Sequence, residues 1–431
     1  MTYVVADKYG SAGAKIGFVL PRTIFQSELG GWHFRQFTLP AGKKLSVIRV
    51  DDIDPLKPFR GQATNISCTT IFKVGESTAY PVDWFRWRKN DGEKITPNTT
   101  YKELSSRASS TKWGAIPVDG KQLQSPWLTG TPQTLTILKK VIGESFYKDL
   151  AREGINTRGA NGVYFVDAWF TNNKLFVKNL LGEGRRAGIK EITQSIESDY
   201  LFPLLRGENV AQFSAENQQY IVLPHSTANP LLPVDFFDLP PRTQEYLAAF
   251  RKTLSERTKF RNFDPTGENW HGLYSVLQPT FAAHKVVWRE MGLGIIAAAI
   301  GNGHLPDGSN KPIIPDHKLF LIPCESSDEA DFVAGVLNSS VVNLIVASYA
   351  VSTGISTHIL ARIPLPKYQL NNTDHKKIVA CSRNIRKSVP KSADTQTLVS
   401  ELNAIVGKIL GLRESEVAHT VSALKDFGIG T

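Results

Sequence analysis

A chain of 431 residues, 41% of them hydrophobic and 21% charged, is long enough for two or three domains with cores of their own, which excludes disorder as its default state. Its formal charge of +10 and pI near 9.3 favour a polyanionic partner, because each Lys or Arg set on a phosphate releases condensed counterions. Cys68, Cys324 and Cys381 stand far apart with no CxxC or Cys/His pairing, which argues against a disulfide framework or a zinc site and fits a reducing cytoplasm.

Residues 15–20, Lys-Ile-Gly-Phe-Val-Leu, are a short apolar run closed by Pro21, the pattern of a buried strand. Residues 23–37 carry Ile24, Phe25, Leu29, Trp32 and Phe34 along one side of a helix or turn, and residues 45–50 and 67–74, rich in Val, Ile and Thr, are two further strands. The first 75 residues therefore read strand, helix, strand, loop, strand. They contain no Asn-Pro-Pro-Tyr or Asp-Pro-Pro-Phe, and no glycine-rich turn follows an N-terminal strand. One reading is a small free-standing sheet. The other is the margin of a larger sheet, whose unpaired backbone edge calls for a second polypeptide to cover it.

The central region opens with residues 154–166, Gly-Ile-Asn-Thr-Arg-Gly-Ala-Asn-Gly-Val-Tyr-Phe-Val. Its glycines permit close backbone approach, while Asn156, Thr157, Arg158 and Asn161 are donors of the types used on phosphates and base edges. A tight turn before a buried strand explains the same residues without DNA. Arg185, Arg186 and Lys190 form a basic cluster beside flexible glycines, and Arg206 stands before Gly207, either on a phosphate or in an ion pair with Glu208. Residues 246–261 predict an amphipathic helix, with Tyr246, Phe250 and Leu254 on one face and Arg251, Lys252, Arg257, Lys259 and Arg261 towards the other.

Further on, residues 284–290 read as a strand with Val286 and Trp288 on one face and Lys285, Val287 and Arg289 on the other. The longest strongly apolar run, residues 292–301, is half the ~20 residues that a membrane span requires, and the N-terminus has no basic segment before an apolar core. Residues 325–331 read as an acidic helix start, while 313–323 and 332–342 resemble a strand and a helix of the family named below. Ser356, Thr357 and His358 then lead into Ile-Pro-Leu-Pro at 363–366, beyond which Lys376, Lys377, Arg383, Arg386, Lys387 and Lys391 precede a helix over 398–410.

The ordered series resembles the C-terminal part of N6-adenine DNA methyltransferases, including the single-chain type IIG restriction-modification enzymes of the Eco57I-like group. The residues that carry the resemblance are Gly-Phe-Val-Leu-Pro-Arg at 17–22, the 154–166 segment, Tyr-Leu-Phe-Pro-Leu-Leu-Arg-Gly-Glu-Asn-Val at 200–210, Tyr-Ile-Val-Leu-Pro-His at 220–225, Trp-His-Gly-Leu-Tyr at 270–274, and the segments at 284–290, 313–323, 332–342 and 363–366. Each motif alone is weak; their order from residue 15 to 366 is what resembles the family.

The fold this implies is α/β: the C-terminal strands of a Rossmann-like methyltransferase sheet, then a mixed α/β target-recognition domain, then a helical tail. The corresponding expectation is a partial methyltransferase-like domain over 1–115, a DNA target-recognition domain over 116–370 and a tail over 371–431. The resemblance assigns DNA contact to Asn156, Thr157, Arg158, Asn161, Arg185, Arg186, Arg206, Lys285, Arg289, Ser356, Thr357 and His358, and it assigns no catalytic, cofactor or metal residue to this chain. S-adenosylmethionine is expected in a second chain that carries the cofactor and Asn-Pro-Pro-Tyr motifs.

The leading expectation is thus the DNA-recognition subunit of a split adenine methyltransferase in a prokaryotic restriction-modification or anti-phage system, soluble and cytoplasmic, with double-stranded DNA as a partner. The alternatives are a stand-alone DNA-specificity module that recruits a nuclease or helicase, and an enzyme with an unrecognised site acting on another polyanion.

Overall fold

A computed structural model describes residues 1–28, 30–59, 66–96, 98–182, 188–257, 264, 266–349, 354–390 and 392–430. The chain divides into two compact units, Met1–Ile142 with Leu344–Ser352 and Gly411–Thr431, and Gly143–Asn343 with Thr353–Leu410.

In the first unit, helix α1 (Thr2–Tyr9) precedes strands β1 (Lys15–Pro21), β2 (Leu45–Asp52), β3 (Ser67–Val74) and β4 (Val82–Lys89). Helix α2 (Tyr101–Arg107), β5 (Ala108–Pro117), β6 (Trp127–Gly130) and helix α3 (Pro132–Val141) follow. The three strands expected from an apolar run and from Val-, Ile- and Thr-rich segments are present within two residues of their sequence limits. They do not stand alone: the sheet runs β1-β3-β2-β4-β5-β6, with β2 and β4 parallel and the other neighbours antiparallel. A boundary at residue 115 would cut through β5 and separate it from β6, which explains why the unit continues to Ile142.

Residues 23–37 form only a turn of helix at Thr23–Gln26 and a 3-10 turn at Phe34–Gln36, ended by Phe37 at φ +45°. Tertiary packing overrides the longer helix. Phe25 stacks on Trp127 at 4.7 Å and meets Trp84 edge-on, while buried Arg35 donates to the carbonyls of Gln124 (2.6 Å), Ile24 (2.7 Å) and Ser27 (2.8 Å). The last helix of the chain, Glu414–Asp426, belongs to this unit, where His419 Nε2 lies 3.0 Å from Thr134 Oγ1 and Lys140 pairs with Glu416. The expected tail is therefore shared between the units.

In the second unit, β7 (Phe165–Thr171), β8 (Lys174–Asn179), β9 (Thr193–Ile196), β10 (Leu201–Leu205) and β11 (Gln219–Val222) build a sheet in the order β9-β8-β7-β11-β10, with Ile314–Pro315 parallel to β10 at its margin. Helices α4 (Pro241–Ala248) and α5 (Arg251–Ser255) bury Tyr246, Leu247, Phe250 and Leu254 in the same core as Val163, Tyr164, Val177, Leu204 and Ile221. The apolar period expected for 246–261 is kept, although the helix breaks between the two pieces. Lys259 and Arg261 lie outside the described residues.

A second sheet sets β12 (His284–Arg289) between β13 (Ala297–Ile300) and β14 (Leu319–Cys324), and β14 also pairs with Arg152–Glu153. Against it packs helix α6 (Ser327–Asn338), capped by Ser326 and followed by α7 (Ser340–Tyr349). Asn338 of the Leu-Asn-Ser motif accepts from Ala297 N (3.0 Å) and donates to Ala297 O (2.8 Å), so its amide acts as one more residue of sheet. Helices α8 (Thr373–Lys387) and α9 (Ala393–Ile409) complete the layer, and a Cβ at Gly335 of α6 would stand 2.6 Å from Ile378 Cγ2 of α8. No single helix among the described residues is long and apolar enough to cross a bilayer.

The acidic start of α6 does more than complement the helix dipole. Asp331, buried, accepts from Arg383 Nε at 2.6 Å and pairs with Arg386, while Asp328 takes Arg383 Nη2 at 2.5 Å. Two cations of the basic tail are thereby committed within their own unit.

Candidate nucleic-acid interface

Five segments of the second unit meet around one turn, Asp316-His317-Lys318, which interrupts the run that sequence alone presents as a continuous strand. Asp316 Oδ1 accepts from Lys318 N at 2.9 Å and closes the turn. Backbone bonds then draw in the neighbours: Ile155 N to Pro315 O, Gly154 N to Leu319 O and Asp316 N to Leu205 O, each 2.9 Å, Glu290 N to Lys318 O at 3.0 Å, and Ile355 N to Glu290 O at 2.8 Å. Gly154 is required here, since a Cβ would lie 2.5 Å from Pro315 O and closer still to Asp316 O.

Arg158, Arg206, Arg289 and the segment bearing Ser356, Thr357 and His358 are thus brought together from far apart in the sequence. Arg158, exposed and at φ +54°, lays its guanidinium 4.5 Å over the Tyr274 ring. Arg206 places Nη1 3.1 Å from Glu208 Oε1 and 3.3 Å from Gln219 Oε1, so the ion-pair reading of this residue is the one the fold adopts. Arg289 reaches Glu208 O through Nη2 at 3.4 Å, and its Nε has no hydrogen-bond partner among the described residues. Ser356 and Thr357 are half-buried and His358 is exposed, on the turn Thr357–Ala361.

The loop residues between play a different part from the expected one. Thr157 is buried and donates to Asn161 Oδ1, and Asn156 Oδ1 accepts from Arg158 N at 2.8 Å. Their polar atoms hold the loop in shape and leave Arg158 as its outward group. Lys285 is a correction: it is wholly buried, with Nζ donating to Thr280 O (2.7 Å) and Ile313 O (2.8 Å), so it does not face a groove. Both faces of β12 are covered, by α6 and by the residues packed beneath, so the groove-facing position that the resemblance gave Lys285 is not available to it. Arg185 and Arg186 lie outside the described residues.

Arg257 is a second correction. Read as part of a solvated face, it is instead 1% exposed and donates to the carbonyls of Leu254 (3.0 Å), Thr157 (3.1 Å), Trp270 (2.6 Å) and Gly272 (3.0 Å). Through Thr157 it anchors the base of the Arg158 loop. Tyr274 and Asn156 exchange backbone bonds of 2.9 Å in both directions and hold the platform under Arg158.

Sequence reasoning missed Lys318, whose Nζ stands 2.7 Å from Glu290 Oε2 with half of its side chain exposed. The signal was available: three consecutive polar residues, Asp-His-Lys, between two apolar runs mark a turn. The electrostatics place these groups in one field. Burial lowers the His317 pKa, and the positive charges of Lys318, Arg158 and Arg206 push it in the same direction. Burial raises Asp316 to about 6, against the opposing effects of its bond from Lys318 N and of Arg206. Burial also raises the Glu153 carboxyl, which Arg158 opposes. Cations and carboxylates alternate, so the surface fixes its guanidinium groups in position and is not a uniform anion sink.

No family model matches the chain, and no curated protein matches it in sequence. Among solved structures, the architecture is found in a restriction-modification enzyme. The Type IIL restriction-modification enzyme MmeI, whose structure was solved in complex with DNA, superposes with a TM-score of 0.51 at 11% identity, over 98% of this chain and 51% of that one. The type IIG restriction endonuclease BpuSI gives a TM-score of 0.37 at 10% identity, over 97% and 47%. The chain spans about half the length of each of these enzymes, and the likeness is one of fold.

Proposed function

We propose that this chain is the DNA target-recognition subunit of a split N6-adenine DNA methyltransferase in a prokaryotic restriction-modification or anti-phage system, working in the cytoplasm with a second chain that holds the methyl-transfer machinery. The observation that carries the reading is the convergence of Arg158, Arg206, Arg289 and Lys318 on one surface from four separate segments, two of them held by the carboxylates Glu208 and Glu290. An exposed arginine whose backbone is held in place can make bidentate contact with guanine O6 and N7, and Arg158 is exposed on its loop. The fold shared with a restriction-modification enzyme solved on DNA supports double-stranded DNA as the polyanion.

Extruding and methylating an adenine needs a cofactor pocket and donors to the exocyclic amine. Sequence motifs for both are missing here, so S-adenosylmethionine is assigned to the second chain and to no residue of this one. Affinity capture of tagged chain from its native cell, with mass spectrometry of what accompanies it, tests the reading. A stoichiometric companion bearing Asn-Pro-Pro-Tyr and a glycine-rich cofactor motif is the expected result; a chain that is recovered alone and monodisperse contradicts it.

A further inference from the structure

We propose that Met291 and Leu293, at the tip of the β12–β13 hairpin, form an apolar wedge that enters the base stack of the bound duplex and parts two neighbouring base pairs. That the bound polyanion is duplex DNA rests on the reading above; the wedge rests on the hairpin itself. Strands β12 and β13 pair from Lys285 with Ile300 to Trp288 with Ala297, and Arg289 N still bonds Ile296 O at 3.3 Å. Beyond that pair both roots are fastened. Glu290 N donates to Lys318 O (3.0 Å), Glu290 O accepts from Ile355 N (2.8 Å), and Ile295 is 1% exposed. Four residues are left as the tip, Met291-Gly292-Leu293-Gly294.

A tip that only turned the chain in water would carry Asn, Asp, Ser or Pro beside its glycines. This one has no polar side chain, and its two side chains stand out in solvent, Met291 56% and Leu293 55% exposed. The glycine between them is fitted to a tight bend, since a Cβ at Gly292 would lie 3.0 Å from Gly294 O. Exposed apolar residues scattered singly are ordinary on a protein surface. Two on one four-residue tip, with both roots fixed, make a compact protrusion.

The setting selects the occupant. Arg289 precedes the tip, and Glu290 at its root holds Lys318 Nζ at 2.7 Å, so the two apolar side chains rise from a charged surface. Cations of this kind take phosphates. The apolar surface that a duplex offers within reach of its phosphates is that of its bases. DNA-binding proteins that insert Met or Leu between base steps part the stack and deform the helix as they enter.

Closed-circular plasmid relaxed by topoisomerase I in the presence of the full chain reads the wedge directly, because parting base pairs unwinds the helix and leaves a linking deficit once the protein is removed. The wild type should leave a deficit that grows with the amount bound. At equal occupancy M291S/L293S should lose most of it, and its affinity should fall roughly tenfold. Its salt slope should be unchanged, since no phosphate contact is removed, and it should melt as the wild type does, since both side chains are exposed. M291L/L293M, which keeps the apolar volume, should retain the deficit. An equal deficit from wild type and M291S/L293S, or none from bound wild type, overturns the wedge and leaves DNA recognition standing. Loss of the companion chain from affinity capture of M291S/L293S, with the deficit unchanged, overturns it in favour of a protein-docking tip. Failure of the wild type to bind any duplex overturns the wedge together with the reading above.

Discussion

Arg206 and Glu208 form an ion pair of 3.1 Å across Gly207, with the arginine side chain 17% exposed and the glutamate 65% exposed. The pair is local in sequence but points the guanidinium at the turn that also carries Lys318 and neighbours Arg158. Replacing Arg158 or Arg289 by Ala should weaken binding of the preferred duplex by about 1–3 kcal/mol and relax the preference at a single base position, whereas Lys318→Ala should lower affinity evenly across sequences and reduce the salt slope. Competition titrations against singly substituted duplexes separate the two outcomes.

Lys285 gives a prediction with a sign. Burial lowers its pKa to about 7 from an ordinary 10.5, so the unfolded chain holds more protons than the folded one between these values. Stability contributed through this group therefore rises with pH across that window, by up to about 1.4 kcal/mol per pH unit. Denaturant midpoints of the wild type relative to K285M should climb from pH 7 to 9. A pH-independent difference would show that the amine is not buried, and DNA affinity should be the same in both.

Gly154→Ala should destabilise the second unit by about 1–3 kcal/mol, because its new methyl would press on the backbone of Pro315 and Asp316. The loss should appear in DNA binding too, since the Arg158 loop and the Lys318 turn are tied across that contact. Equal melting of variant and wild type would contradict the close approach.

Arg257→Met leaves four carbonyls without their donor and should cost at least about 3 kcal/mol. Arg257→Lys, with fewer directed N–H groups, should fold but loosen the Arg158 loop. Faster amide exchange at residues 156–160 is the expected readout.

Lys15, Leu45 and Ser67 begin strands where a short apolar run and two Val-, Ile- and Thr-rich segments place them, and Tyr246, Phe250 and Leu254 face the core as a 3.6-residue period requires. Local pattern is enough for such elements. Local pattern is silent at β12, where the resemblance set Lys285 towards DNA, because two layers cover that strand and two carbonyls satisfy the amine. It failed at Arg257 for the same reason: donors to backbone carbonyls leave no mark in the sequence. The convergence of Arg158, Arg206 and Arg289 was legible only as three separate expectations, since the contacts that join them are long-range, the bond from the Arg289 guanidinium to Glu208 O spanning 81 residues. Lys318 was hidden by reading 313–323 as one strand when Asp316 turns it.

Selection of bound duplexes from a random double-stranded library, with the chain and its companion together, is the most direct test of target recognition. Enrichment of one short sequence, with the preference at one position lost in R158A or R289A, is the result this account predicts. Recovery of unselected sequence by the wild type, or the same enriched motif from both variants, would contradict it.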